Sequence, residues 1–212
     1  MNTVHLSQHN ARYPAALKIH LGDHTPAFIA ALGNLDILQR RKLALFCSVR
    51  CPGHLILQTC DLVQHLCQGG VTVIGGFHSP MERECLTILL RGTQPVIVCP
   101  ARSIEGMRVR AEYKKPLEEG RLLLLSPFGE TQRRVTASTA TVRNRFVAAL
   151  ADAIFVAHAY AKSKTEQFCR EILAWRKPLY TLESDANVNL IAQGANGLSP
   201  DDALEGKIYD GH

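Results

Sequence analysis

The sequence predicts an α/β chain with an extended Rossmann-like fold: a mostly parallel sheet with helices on both faces. Three observations predict it. Six short apolar runs, each rich in Val, Ile or Leu and bounded by Gly, Pro or Ser, recur between residues 42 and 182. Such runs suit strands buried on both faces. Stretches long enough for helices separate them, and that alternation builds βαβ units around a parallel sheet. Finally, Gly, Ser, Arg and Lys gather just after the apolar runs, where ligands of open parallel sheets bind.

The strands are expected at 42–46, 71–75, 95–99, 121–126, 153–159 and 178–182. Helices are expected between them. Residues 55–68 have apolar positions at helical spacing and stop at Gly69-Gly70, a good C-terminal signal. Residues 81–91 stop at Gly92, and 143–151 form a short helix. Residues 164–176 end before Lys177-Pro178, where proline discourages continuation. The first 40 residues, with Tyr13-Pro14, Pro26 and Gly33-Asn34, read as an N-terminal extension packed on the core. Residues 41–197 form the expected nucleotide- or DNA-binding domain. Residues 198–212 form a tail in which Asp201, Asp202, Glu205 and Asp210 oppose Lys207 alone.

Composition narrows the function. The 212 residues suffice for one substantial core with a modest extension. No stretch approaches the roughly 18 unbroken apolar residues of a membrane span, and the polar N-terminus lacks the apolar run of a signal peptide. A cytoplasmic protein with no membrane partner is expected. Seven cysteines at irregular spacing among apolar neighbours suit buried, reduced thiols. Cys47, Cys51 and His54 lie close in sequence, but no second ligand pair completes a metal site, so neither metal nor other cofactor is expected.

The net charge of +5 has a location. Residues 101–145 hold ten basic side chains, Arg102, Arg108, Arg110, Lys114, Lys115, Arg121, Arg133, Arg134, Arg143 and Arg145, against five glutamates. The rest of the chain is balanced, with 14 charges of each sign. A clustered basic segment suits a polyanionic partner or a solvated face of mixed charge.

Four turns follow the expected strands. Ser48 and Arg50 occupy the first, before Pro52-Gly53, and offer a hydroxyl and a forked cation to an anion. Gly75 and Gly76 open the second and permit close backbone approach. There Ser79 is the expected helix cap, with Pro80 in the first turn and Glu82 facing the helix dipole; His78 reads as structural or solvated. Arg143, Asn144 and Arg145, at the expected start of the short helix, offer two guanidinium forks around an amide. Lys162, Ser163 and Lys164 precede the last long helix. Phe77, Phe128 and Tyr160 are candidates for base stacking or for the core. No paired carboxylates, metal cluster or nucleophile elbow accompanies these turns, so no catalytic residue is expected.

The order of these motifs resembles the DprA/Smf family of DNA-processing proteins, related to the nucleotide-binding domains of LOG enzymes. The resemblance spans about residues 12–197. Ser48 and Arg50 match a Gly-Ser-Arg turn, Gly75-Gly76 a glycine-rich turn, and Arg143-Asn144-Arg145 the Arg-Asn-Arg motif. Residues 157–165 resemble a late Ser-Gly-Ser turn, and Asn189-Leu190-Ile191 with Gly194-Ala195 a closing helix. The chain departs from the pattern at Val49, at His78–Glu82 and at Lys162-Ser163-Lys164, and it is expected to be a short member without a winged-helix domain.

The resemblance implies a homodimer that binds single-stranded DNA and loads a RecA-type recombinase, notably in natural transformation. It implies that Arg50, Arg143 and Arg145 hold phosphates while Ser48, Gly75, Gly76 and Ser163 line the pocket. A sensor of a small nucleotide is the alternative. A LOG-like nucleotide phosphoribohydrolase is a further one, although the Pro-Gly-Gly-x-Gly-Thr-x-x-Glu motif of that chemistry is absent.

Overall fold

The sheet is built from alternating apolar strands whose side chains divide between two cores. The computed structural model describes residues 2–199. Its parallel strands are β3 (Lys42–Phe46), β4 (Thr72–Gly75), β5 (Val96–Val98), β6 (Leu122–Ser126), β7 (Ala153–Val156), β8 (Leu179–Leu182) and β9 (Asn196–Leu198). Residues 1–40 supply β1 (Val4–Ser7) and β2 (Phe28–Gly33), which extend the sheet antiparallel from β6. The nine described strands run β1-β2-β6-β5-β4-β3-β7-β8-β9.

Leu43 and Leu45 face one side of β3, with Val73, Val96 and Leu122 from the neighbouring strands. Helices α2 (Gly53–Gln68), α3 (Pro80–Arg91) and α4 (Ala111–Glu118) pack there. Ala44 and Phe46 face the other side, under α1 (Ala15–Leu21), α5 (Ala137–Leu150), α6 (Lys164–Ala174) and α7 (Val188–Ala192). The extended Rossmann-like fold is therefore present, with helices on both faces. Both faces of each central strand are covered, which is why these strands read as unbroken apolar runs.

The chain moves outward from β3 through β4, β5 and β6, then returns to place β7 on the other side of β3. The reversal between β3 and β7 opens the crevice where open α/β sheets take ligands. One expected element is corrected. The helix predicted from residue 143 begins at Ala137, so Arg143, Asn144 and Arg145 lie within it and not at its start. Thr136 caps it, its hydroxyl accepting from Thr139 N at 3.1 Å while Thr139 Oγ1 accepts from Thr136 N at 2.9 Å. Further elements are not expected from the sequence: α4 and β9, and β1, α1 and β2 within the N-terminal extension; Pro116 inside α4 masks its helical pattern. Of the acidic tail, residues 200–212 lie outside the described residues.

No helix among the described residues is long and apolar enough to cross a membrane.

Candidate functional site

The turn from β4 to α3 sets the geometry. Ser79 caps α3, and Glu82 completes a reciprocal capping box. The Glu82 carboxylate does more than cap. It accepts from the backbone N–H of Cys47 at 3.0 Å, of His78 at 2.7 Å and of Ser79 at 3.3 Å. The end of β3 and the end of β4 are thereby tied to one buried carboxylate. Phe77 adopts a left-handed backbone, φ 47°, and its ring lies against Gly75, where an added Cβ would sit 3.0 Å from the ring.

Gly76 is needed for a different reason. A Cβ there would fall 1.5 Å from Arg143 Nη1, so the missing side chain is the space the guanidinium occupies. Arg143 reaches this place from the middle of α5 and is 96% buried, with 4% of its surface exposed. Its Nη1 donates to Cys99 O at 3.1 Å and its Nε to Asn144 Oδ1 at 2.8 Å. Burial lowers the Arg143 pKa, an effect opposed by the nearby charge of Glu82. The neighbouring Cys99 thiol is pushed up to about 12 by burial and stays neutral.

Above Arg143 opens a recess of about 460 Å³ over the ends of β4, β5 and β6. Five more arginines line it: Arg83, Arg102, Arg108, Arg110 and Arg133. Phe77, Val98, Met107, Tyr113 and Leu124 supply apolar lining between them. Arg83 donates to His78 O at 3.1 and 3.0 Å, and Arg133 to Glu130 O at 3.3 Å. Arg110 lies 3.6 Å from Glu112 and 5.8 Å from the Tyr113 ring centroid. Converged guanidinium groups over a half-apolar floor suit a phosphate attached to a base or sugar.

The expected site residues separate into three places. Gly76 and Arg143 line the recess, with Gly75 beneath Phe77. Asn144, Arg145 and Lys164 line a second cavity of about 490 Å³ between α5 and α6, and Arg145 is bound to Glu171 at 2.7 Å. Ser48, Arg50, Lys162 and Ser163 stand on the turns after β3 and β7, beside the crevice. There the N–H of Ser48 donates to His158 O at 2.9 Å, while its buried hydroxyl has no hydrogen bond among the described residues. Arg50, Lys162 and Lys164 are exposed. Ser163 caps α6, accepting from Glu166 N at 3.1 Å.

Glu166 repeats the device of Glu82. It accepts from Lys162 N at 2.8 Å, Arg170 at 3.1 Å and Asn189 at 2.6 Å. The Asn189 amide, then the Lys162 N–H, hold its carboxyl below the usual range. Both carboxylates, Glu82 and Glu166, are thus committed to backbone and side-chain donors of the chain itself. His54 is bonded to Ser184 at 3.0 Å, and no group of three His, Cys, Asp or Glu side chains able to hold a metal occurs among the described residues.

Sequence reasoning placed the arginine-rich segment but missed Arg83, Arg102, Arg108, Arg110 and Arg133 as one lining. For all of these but Arg83 the available signal was the local excess of basic residues in 101–145. Their convergence depends on the loop after β5 folding back over the sheet edge towards α3, which no local pattern announces.

Compared with known protein families, the chain matches the one described as DNA recombination-mediator protein A over residues 4–206. Among solved structures, DNA processing protein A (DprA) from Streptococcus pneumoniae superposes with a TM-score of 0.79 at 20% identity, over 96% of this chain and 74% of that one. DNA processing protein A from Helicobacter pylori, described with a unique single-stranded DNA binding mode, gives a TM-score of 0.79 at 22% identity over 100% of this chain and 98% of that one. A molybdenum cofactor carrier protein from Chlamydomonas reinhardtii gives 0.56 at 9% identity, over 81% of this chain and 100% of that one. At these identities the structural likeness establishes the fold. Comparison with curated protein sequences gives no match.

Proposed function

The chain belongs to the DNA recombination-mediator protein A family, and from that premise we propose that it binds single-stranded DNA along the carboxyl edge of its sheet. The observation that carries this reading is the six-arginine recess with buried Arg143 at its base, next to the turns bearing Ser48 and Arg50. Phosphate contacts by Lys and Arg supply most of the affinity for a single strand, and aromatic or apolar surfaces accept its unstacked bases. Arg50 and Lys162 extend the positive edge across β3 and β7, and Ser48 adds a hydroxyl. In this reading the chain is a binding protein and not an enzyme.

The family's description as a recombination mediator supports a further step, delivery of the strand to a RecA-type recombinase. The motif resemblance supports a homodimer and a part in natural transformation. A titration of a fluorescent single strand tests the binding. Arg143→Ala is expected to weaken it by about tenfold or more, the loss of one or more charged hydrogen bonds, and Arg50→Ala by a smaller factor. Unchanged affinity in both variants, each shown to be folded by its melting curve, would overturn the site.

A further inference from the structure

Resting on the single-strand reading, we infer that the recess is an end site: it takes a terminal phosphate of a nucleotide, on a strand end or on a free nucleotide. The first argument is charge. Six guanidinium groups, all positive at physiological pH, line about 460 Å³. Among their ion pairs with described residues only Arg110 has a carboxylate, Glu112 at 3.6 Å. Arg102 and Arg108 have no side-chain hydrogen bond or ion pair with described residues, and Arg143 Nη2 is likewise free. An internal phosphodiester brings a single negative charge. A terminal phosphomonoester brings about −1.5 to −2 at pH 7 and three acceptor oxygens.

The second argument is shape. The recess is bordered by the start of α3, by the segment 100–113, by residues 133–135 and by α5. At about 460 Å³ the recess lies at the small end of ligand pockets, roughly 300–1,000 Å³, and suits a single nucleotide rather than a run of several. Its apolar lining gives the attached base a surface, while the phosphate sits among Arg102, Arg108 and Arg143.

The experiment compares one oligonucleotide, labelled internally, carrying a 5′-phosphate, a 3′-phosphate or hydroxyls at both ends. Calorimetry with AMP and ATP runs beside it. A strand with one phosphorylated end is expected to bind at least about tenfold tighter than the hydroxyl strand. That ratio is expected to fall towards one in the Arg102→Ala/Arg108→Ala double variant, whose two exposed side chains make no contacts the fold needs. A preference for phosphorylated ends without nucleotide binding assigns the site to DNA ends. Saturable binding of AMP or ATP that the double variant loses assigns it to a free nucleotide. Equal affinity for all three strands together with no nucleotide binding would overturn the inference, as would a preference that persists in the double variant. Failure of every strand to bind, with nucleotides still bound, would instead overturn the single-strand reading and leave the phosphate site standing.

Discussion

One residue without side-chain chemistry of its own, Gly76, decides where an arginine can go. Gly76→Ala places a Cβ within 1.5 Å of Arg143 Nη1, so the guanidinium must leave its bed while the turn keeps an ordinary backbone. Single-strand affinity is expected to drop as far in Gly76→Ala as in Arg143→Ala, measured by the same titration. Glu82 acts on the fold. Glu82→Ala orphans two buried backbone donors, of Cys47 and Ser79, beside the half-buried one of His78, and an unsatisfied buried donor costs about 1–3 kcal/mol. A loss of about 2 kcal/mol or more lowers Tm by roughly 4–8 °C in a domain of this size, read by calorimetry. Glu166 adds a pH signature. Its folded pKa is depressed, so its stabilisation is present above the unfolded value of about 4.3 and is lost as pH falls through the lower folded value. Wild type is therefore expected to melt above Glu166→Gln at neutral pH, and the two curves to converge in acid.

At the scale of elements, α5 decides which arginines are free. Because Thr136 caps it, Arg143 turns into the sheet edge, whereas Arg145 pairs with Glu171 on the helix's other side. Thr136→Ala is expected to cost about 1 kcal/mol, the usual value of an N-cap, seen as a small fall in Tm. The start of α5 is signalled locally by Thr136 and Thr139, whereas the Arg-Asn-Arg triplet marks only its middle. The strands were legible because two covered faces force unbroken apolar runs, and β3 falls where the periodicity puts it. α4 was hidden by Pro116, whose preference against helix interiors is overridden by its burial with Tyr113 and Leu117. The cap at Ser79 was legible because capping is local chemistry. The recess was not, because its arginines come from four segments joined only by tertiary packing.

For the molecule as a whole, parallel pairing brings the carboxyl ends of the central strands to one edge, and five of the ten basic side chains of residues 101–145 line the recess there. Such an edge gathers polyanions, and its affinity should depend steeply on salt. Each neutralised single-strand phosphate contributes a slope of about −0.7 to log K against log salt concentration. The decisive measurement is that slope for wild type and for Arg102→Ala, Arg108→Ala and Arg133→Ala. Binding through the recess predicts that each substitution flattens the slope by about 0.7 to 1. Slopes identical to wild type in all three variants would contradict it.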